Sequence, residues 1–487
     1  PQDFPRTNWH IRKSLWRPEL GLYGLWNLTL LKHVLILHGS GVGGGSLLYA
    51  NQLLVPPDEV FLRSEWGPGD WQARLAPFYA LARRMLGANP SPSVGRADEV
   101  LRQVGREVRG KDTFHINDVG VFFGEPGKKV ADPYFDGQGP ERTGCTFCGA
   151  CMIGCREGGK NTLDKNYLYL AEHRFGVSVL PETEVIGVRP VGKGYEIITR
   201  KSTGLQHPRN RILAGGVIFS GGVMGSVKLL KQCQALGLLP KLSAQLGNYV
   251  RTNSEAILGV RARDRDADYS DHIAINSGIY PDKDTHIEIV RFNKGSDLIG
   301  LVTSLLTDGG GGKPRALHFF KNVLSQPGAF VKSLWPFGFG ARTPILLVMQ
   351  TVDNYIRLEY KPRWWRLGNK SINTGIPPEC EGKRVPTYIP IANEVARRMG
   401  AKIDGQPLGS WPEALFDIPT TAHILGGAIM GATPEQGVVD FSGQVHGYPN
   451  LYVVDGSNVP VNLGVNPSLT ITALSEYIMS QFPQKGG

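Results

Sequence analysis

Short apolar runs that stop at glycine recur along the chain, and they predict buried strands feeding tight turns. His33–Leu37 predicts one such strand, ended at Gly39, with a helix starting at Ser46 and stopped by Pro56-Pro57. Apolar positions spaced three and four apart predict helices over Trp71–Leu86 and Asp98–Val108, separated by a loop at Asn89–Val94, and another over Leu163–Arg174. Val177–Leu180, Glu184–Pro190 and Tyr195–Lys201 alternate like a β-meander. Gly216–Ser220 predicts a buried strand that passes through Gly221-Gly222 into a helix over Val223–Leu230, the grammar of a nucleotide-binding crossover. Residues 256–411 read as mixed structure, with Ile345–Val352 and Tyr355–Tyr360 inside a sheet. The chain closes with a strand at Leu451–Val454, then Asp455-Gly456, then a helix over Pro467–Phe482. Pro1–Lys32 is aromatic and irregular, and no internal repeat is visible.

The chain has 487 residues, 41% hydrophobic and 20% charged, enough for one large or two ordinary folded domains. Its 62 glycines nearly double the usual share of about 7%. They cluster at Gly39–Gly45, Gly215–Gly225 and Gly426–Gly431, which suits backbone lying close to a ligand; Gly309–Gly312 reads as a plain loop. The net charge is +10, yet no five like charges run together, so nucleic acid is not an expected partner and weak attraction to anionic lipid is. No apolar stretch reaches the ~18–20 residues that span a bilayer. The chain starts at Pro1 with no signal-peptide pattern, and a missing N-terminal piece is expected.

Gly39, Gly41 and Gly44 spell Gly-x-Gly-x-x-Gly after a strand, with Asp58 and Glu59 about twenty residues on. Three readings stand: a dinucleotide fingerprint, which would make the protein an NAD-dependent dehydrogenase; a structural turn; or a second glycine loop running along a flavin held elsewhere. The third is preferred, because Asp58 follows Pro56-Pro57 and cannot end a second strand. Near the C-terminus, His423 stands just before Gly426-Gly427, and Asn466-Pro467 opens a helix after Asp455-Gly456. That string sets a histidine, bare backbone and a helix N-terminus at one place, suited to the electron-rich end of a reduced flavin.

On these residues the chain resembles the glucose–methanol–choline oxidoreductases. His423–Ala473 is similar to their closing signature, although Ile424 stands where proline is usual. Gly39–Asn51 resembles their internal flavin-contact stretch, and Ile218–Leu230 their second crossover. Thr162–Leu168 resembles the bacterial cholesterol-oxidase-like branch. The resemblance implies an α/β fold: a discontinuous FAD/NAD(P)-binding-type (Rossmann-like) domain, N-terminally truncated, plus a mixed-sheet α+β substrate domain. It implies FAD-binding portions at 1–60, 145–260 (with the cysteine-rich loop) and 415–487, cap helices and loops at 61–144, and a substrate domain at 261–414. The family's own N-terminal glycine fingerprint has no counterpart before Gly39, so an incomplete chain without cofactor is a rival expectation.

The resemblance also assigns roles. Hydride passes from an alcohol carbon to FAD, giving a ketone from a hydroxysteroid or another bulky secondary alcohol. His423 positions the hydroxyl and acts as base, or as hydrogen-bond partner to one. Asn466 stabilises the oxygen. Glu288, between Ile287 and Ile289, either shuttles a proton from a desolvated site or points to solvent. Gly39, Gly41, Gly43, Gly44, Gly45, Ser46, Asn51, Val185 (near adenine), Gly221, Asp455, Gly456, Asn466 and Pro467 contact the cofactor. The electron acceptor is oxygen or another species.

Cys145, Cys148, Cys151 and Cys155 form a tight run whose spacing matches bacterial ferredoxins, except that Arg156 replaces proline. Structural thiols or disulfides, an iron–sulfur cluster and zinc all fit it. An iron–sulfur centre would imply a dehydrogenase passing single electrons onward. Ala316–Phe339 mixes Phe320, Val323, Leu324, Phe330 and Trp335 with Lys321 and Lys332. It reads either as ordinary helix packing over a large cavity or as an apolar, basic-edged lid for peripheral membrane contact.

Overall fold

The computed structural model describes residues 3–362, 370–380 and 384–483. Near the N-terminus, β1 (Trp26–Leu31) pairs antiparallel with β2 (Val34–Gly39) across a two-residue turn at Lys32-His33. The sequence predicts only β2. In β1 the apolar alternation is reversed, with Leu28 and Leu30 facing solvent, so it lacks a buried-strand signature.

The helix expected from Ser46 does not form. A 3-10 turn (Gly44–Leu47) ends there, and Asn51 takes a left-handed φ of 70°. Without a helix behind it, the Gly39–Gly44 loop has no helix N-terminus to offer a pyrophosphate. Asp58 opens a one-turn helix (Asp58–Phe61) and accepts a hydrogen bond from Gln72 Nε2 at 2.6 Å; it does not end a strand. The dinucleotide reading, and the NAD-dependent alternative built on it, are corrected on these grounds.

α1 (Trp71–Leu86) forms as predicted. Asp70 caps it by accepting from Ala73 N at 2.9 Å, and Gly87 ends it at φ 60°. Its buried face packs on the C-terminal helix, where Tyr79 and Thr470 hydroxyls meet at 2.8 Å. Burial of Trp66 and Trp71, ring centroids 5.5 Å apart, contributes about 2–3 kcal/mol each. α2 (Arg96–Arg109) begins where Asp98 accepts from Gly95 N at 2.8 Å.

β3 (His115–Ile116) leaves this region to join the large sheet described below. The meander is β4 (Thr183–Val191), β5 (Gly194–Lys201) and β6 (Arg209–Ala214). Val177–Leu180 is not a strand; Val177 and Leu180 are exposed and have no apolar face to bury. β7 (Val217–Phe219) leads through Gly221-Gly222 and one π-turn into α3 (Lys228–Ala235).

Further strands are β8 (Ala256–Ala262), β9 (Ser277–Ile279), β10 (Thr285–Val290) and β11 (Thr303–Leu305). The short helices α4 (Arg315–Ser325) and α5 (Pro327–Ser333) precede β12 (Ile345–Gln350). α6 (Pro390–Lys402), β13 (Gly405–Ser410), β14 (Thr420–Thr421), β15 (Leu451–Val453) and α7 (Ser468–Ser480) follow. The large sheet has seven strands, in the order β11-β13-β8-β12-β10-β9-β3, all antiparallel. Strand alternation divides its residues. Ile287, Ile289, Leu346 and Val348 pack on α2 and α6, while Glu288, Val290, Ile345 and Leu347 face the other way. Parallel pairing occurs at β7–β15 and β2–β14, beside the glycine turns.

Candidate active site

β8 and β14 converge on one spot. Before β8, Asn253 (φ 57°) and Ser254 (φ 48°) both take left-handed backbone conformations. Such conformations cost about 1–3 kcal/mol each and hold only where the surroundings enforce them. Here Asn253 does the enforcing: its N donates to Asn462 Oδ1 at 2.9 Å, its Nδ2 to Val465 O at 3.0 Å, and its Oδ1 accepts from Gly464 N at 2.9 Å. The turn delivers Glu255, fully buried, to the foot of His423. Glu255 Oε2 accepts from Ala422 N at 2.7 Å, and Oε1 is hydrogen-bonded to His423 Nδ1.

That bond fixes the imidazole. Nδ1–H is committed to the carboxylate, so Nε2 is the free acceptor. Burial pulls the His423 pKa down, but the Glu255 charge and hydrogen bond, with Glu288 behind them, raise it above the ordinary histidine value. His423 N also donates to Thr421 Oγ1 at 3.0 Å.

His423 and Asn466 line one cavity of about 270 Å³ whose walls are mainly apolar: Trp26, Met152, Ile257, Phe292 and Leu347 among them. Gly39, Gly45 and Pro467 line it as well. His38 on its wall is pushed down to about 4, chiefly by burial, and stays neutral.

Glu288 does not face solvent. It is fully buried, and its Oε1 accepts from Asn117 Nδ2 at 2.7 Å. Burial pushes its pKa up to about 8, against the lowering influence of Asn466, His423 and Asn117. Asn466 Oδ1 is a buried acceptor with no partner among the described residues.

The other cofactor candidates separate into groups. Gly41, Gly43 and Gly44 all have positive φ, and a Cβ on Gly39 would lie 2.9 Å from Gly44 O, so the loop tolerates only bare backbone. Ser46 pins it, donating to Gly43 O at 2.6 Å and accepting from Leu163 N at 2.9 Å. Val185 and Gly221 line a second cavity of about 830 Å³ between β4 and β7. The Asp455 carboxylate ties that crossover to β15: Oδ2 accepts from Gly222 N at 2.9 Å and Ser226 Oγ at 2.5 Å, and Oδ1 from Ser457 N at 2.8 Å. Gly456 O accepts from Gly426 N at 3.0 Å, joining the two C-terminal glycine segments. Asn51 lies apart from these, buried beside Cys151.

Cys145, Cys148, Cys151 and Cys155 border a small void of about 20 Å³, and all are free thiols. Among the described residues no three His, Cys, Asp or Glu side chains are arranged to hold a metal ion. Burial pushes the Cys145 thiol up to about 12. The loop is held by Lys160, buried, whose Nζ donates to Leu47 O (3.1 Å), Tyr49 O (2.7 Å) and Cys151 O (2.8 Å). It delivers Met152 to the cavity, where Met152 O accepts from Trp26 Nε1 at 2.8 Å.

Glu255, Lys160 and Asn117 are absent from the motifs read in the sequence. Glu255 carried a signal of the same kind as Glu288, a lone carboxylate at the mouth of an apolar strand.

Comparison with known proteins identifies the family. Residues 398–475 match the family model described as GMC oxidoreductase. The chain is 42% identical to a cholesterol oxidase of Acinetobacter baumannii, over 99% of this chain and 88% of that protein. It is 44% identical to a cholesterol oxidase of Mycobacterium tuberculosis, over 100% of this chain and 85% of that protein. The chain belongs to the GMC oxidoreductase family, and is an FAD-dependent oxidoreductase of alcohols. Its fold is similar to pyridoxine 4-oxidase from Mesorbium loti, with TM-score 0.59 and 14% identity over 94% of this chain and 88% of that one. A fungal aryl-alcohol oxidase gives TM-score 0.55 and 12% identity over 94% and 89%.

The described residues fit FAD. The bare glycine loop and the orphaned Asn466 Oδ1 stand at the His423 cavity, and Val185 and Gly221 border the larger one.

Proposed function

We propose that the protein oxidises a bulky, largely apolar secondary alcohol, of which a hydroxysteroid is the leading class, to the ketone at the His423–Asn466 cavity. The observation that carries this reading is the His423–Glu255 pair at the head of an apolar cavity. The names of the two cholesterol oxidase relatives support the substrate class. Flavin, when bound, supplies the hydride acceptor. Gly39, Gly45 and Pro467 would lie against its reactive end, and Val185 and Gly221 against its adenosine end.

His423 Nε2 accepts the hydroxyl proton, and the buried Glu255 carboxylate stabilises the resulting imidazolium at Nδ1. The Asn466 amide holds the substrate oxygen. Glu288, protonated at neutral pH, serves as a second proton donor or acceptor toward the substrate ring. The apolar walls exclude water from the reacting carbon. Incubation with 3β-hydroxysteroids and short alcohols, with products read by mass spectrometry, tests the reading. Loss of two hydrogens from the steroid alone supports it; turnover of short alcohols alone refutes it.

Substrate delivery from a lipid surface is part of this reading. Phe320, Leu324, Val331 and Trp335 on and after α4 and α5 are exposed, while Phe319 and Phe330 pack together with ring centroids 6.1 Å apart. Arg261, Arg263, Arg265 and Lys332 border the adjoining groove. Among the described residues no helix is long and apolar enough to cross a membrane. Sedimentation with anionic vesicles that Leu324→Asp/Trp335→Asp abolishes is expected; unchanged sedimentation would refute the surface.

A further inference from the structure

Glu288 has a second neighbour on its own strand. His286 lies two residues away on the same face of β10, about 7 Å along the strand, and is also fully buried. His286 Nε2 meets His115 Nε2 at 3.1 Å. His115 sits half-buried on the edge strand β3, and its Nδ1 lies 3.1 Å from Thr113 O. Tyr280 stacks on both rings, at 4.6 Å and 5.2 Å.

The two imidazoles meet over β9 because Gly278 leaves them room. Gly278 pairs with Glu288 on one side and with His115 on the other. A Cβ there would lie 2.3 Å from His286 Nε2 and 3.1 Å from His115 Nε2.

Hydrogen-bond bookkeeping then fixes every proton. A carbonyl only accepts, so His115 Nδ1 carries the hydrogen that meets Thr113 O, and its Nε2 is bare. His286 Nε2 must donate to it, which leaves His286 Nδ1 as a bare acceptor. That atom is buried and without a partner. Asn117 donates to Glu288 Oε1, so the proton of a protonated Glu288 sits on Oε2, which is buried with the Asn466 side chain as a polar neighbour. A buried proton donor and a buried acceptor lacking a donor thus stand on one face of one strand. Such an orphan costs about 1–3 kcal/mol.

We infer that Glu288, His286 and His115 form a proton relay that connects the active site to solvent at the edge of the large sheet. Glu288 Oε2 gives its proton, across one bridging water, to His286 Nδ1. His286 Nε2–H passes to His115 Nε2, and His115 releases its Nδ1 proton to solvent, leaving Glu288 as carboxylate. The reverse sequence reprotonates it and restores both tautomers. Burial, then the neighbouring His115, holds the His286 pKa well below the ordinary value, so its imidazolium is a transient carrier and not a store. The titratable groups facing the relay are His423 and Glu255 on the inner side, and Tyr280 and Glu59 on the outer. His286 and His115 are positioning and relay groups; neither lines the His423 cavity.

The relay is read without turnover, so its failure is separate from failure of the substrate assignment. The infrared carboxylic-acid band lost in Glu288→Gln is followed after dilution of the full chain into D₂O. His286→Phe and His115→Phe are each expected to slow the exchange of that band at least tenfold, while Tyr280→Phe, which removes a hydroxyl from the same stack, leaves it unchanged. Wild-type exchange rates in a folded histidine variant, or equal slowing in Tyr280→Phe, would overturn the relay. Should a variant not fold, ¹⁵N-histidine NMR of the wild-type chain decides. The relay requires His286 protonated at Nε2 and bare at Nδ1; the opposite tautomer contradicts it.

Discussion

The buried carboxylate of Glu255 is hydrogen-bonded to His423 Nδ1, and this one contact fixes the orientation of a histidine beside glycines and leaves its Nε2 free to accept. The sequence separates the two by 168 positions. They meet because Asn253 and Ser254 turn the chain in left-handed conformations that Asn462, Gly464 and Val465 enforce.

Replacing Glu255 by Gln removes the charge and keeps the shape. Since the carboxylate raises the His423 pKa, the variant's base titrates lower. The acid limb of kcat/KM is expected to move to lower pH, and the plateau to fall about 10²-fold as the imidazolium loses its counter-charge. An unmoved acid limb would detach Glu255 from the chemistry.

Glu288 makes stability depend on pH. Its folded pKa is raised from 4.5 to about 8, chiefly by burial, so the folded chain holds a proton that the unfolded chain releases. Its contribution to stability is therefore greatest below pH 4.5 and is lost as pH rises toward 8. Thermal unfolding of Glu288→Gln is expected to match wild type in acid and to exceed it progressively up to pH 8. A gap that is constant with pH would mean that Glu288 is ionised in the folded chain.

Lys160→Met should cost at least about 3 kcal/mol, because three carbonyls, two of them in buried contacts, lose their common donor. The loss is measured by denaturant unfolding. A change below 1 kcal/mol would show that the cysteine loop and the Leu47–Tyr49 segment are held by other contacts.

How much of this was legible beforehand depended on where each signal lies. α1, α2, β5, β12 and α7 follow apolar periodicity, and they form within a few residues of the predicted bounds. The helix after Gly45 failed because Asn51 breaks to a left-handed conformation that no local pattern announces. β1 escaped notice because its apolar side faces solvent. His423 and Asn466 were readable from a contiguous C-terminal string, and the structure brings both to one cavity. Glu255 and Asn117 were not, since their meaning lies in contacts made across 168 and 171 positions. The cysteine run left three readings open, because spacing alone does not say what its sulfurs surround; in the fold they border a small void beside Lys160.

The most direct test of the account is anaerobic mixing of the FAD-loaded full chain with a 3β-hydroxysteroid, followed by flavin absorbance, in wild type, His423→Ala and Asn466→Ala. The account predicts rapid bleaching in wild type and rates lower by at least about 10²-fold in both variants, with thermal stability kept. Wild-type bleaching rates in either variant would contradict the assignment of that residue, and in both they would place the chemistry elsewhere.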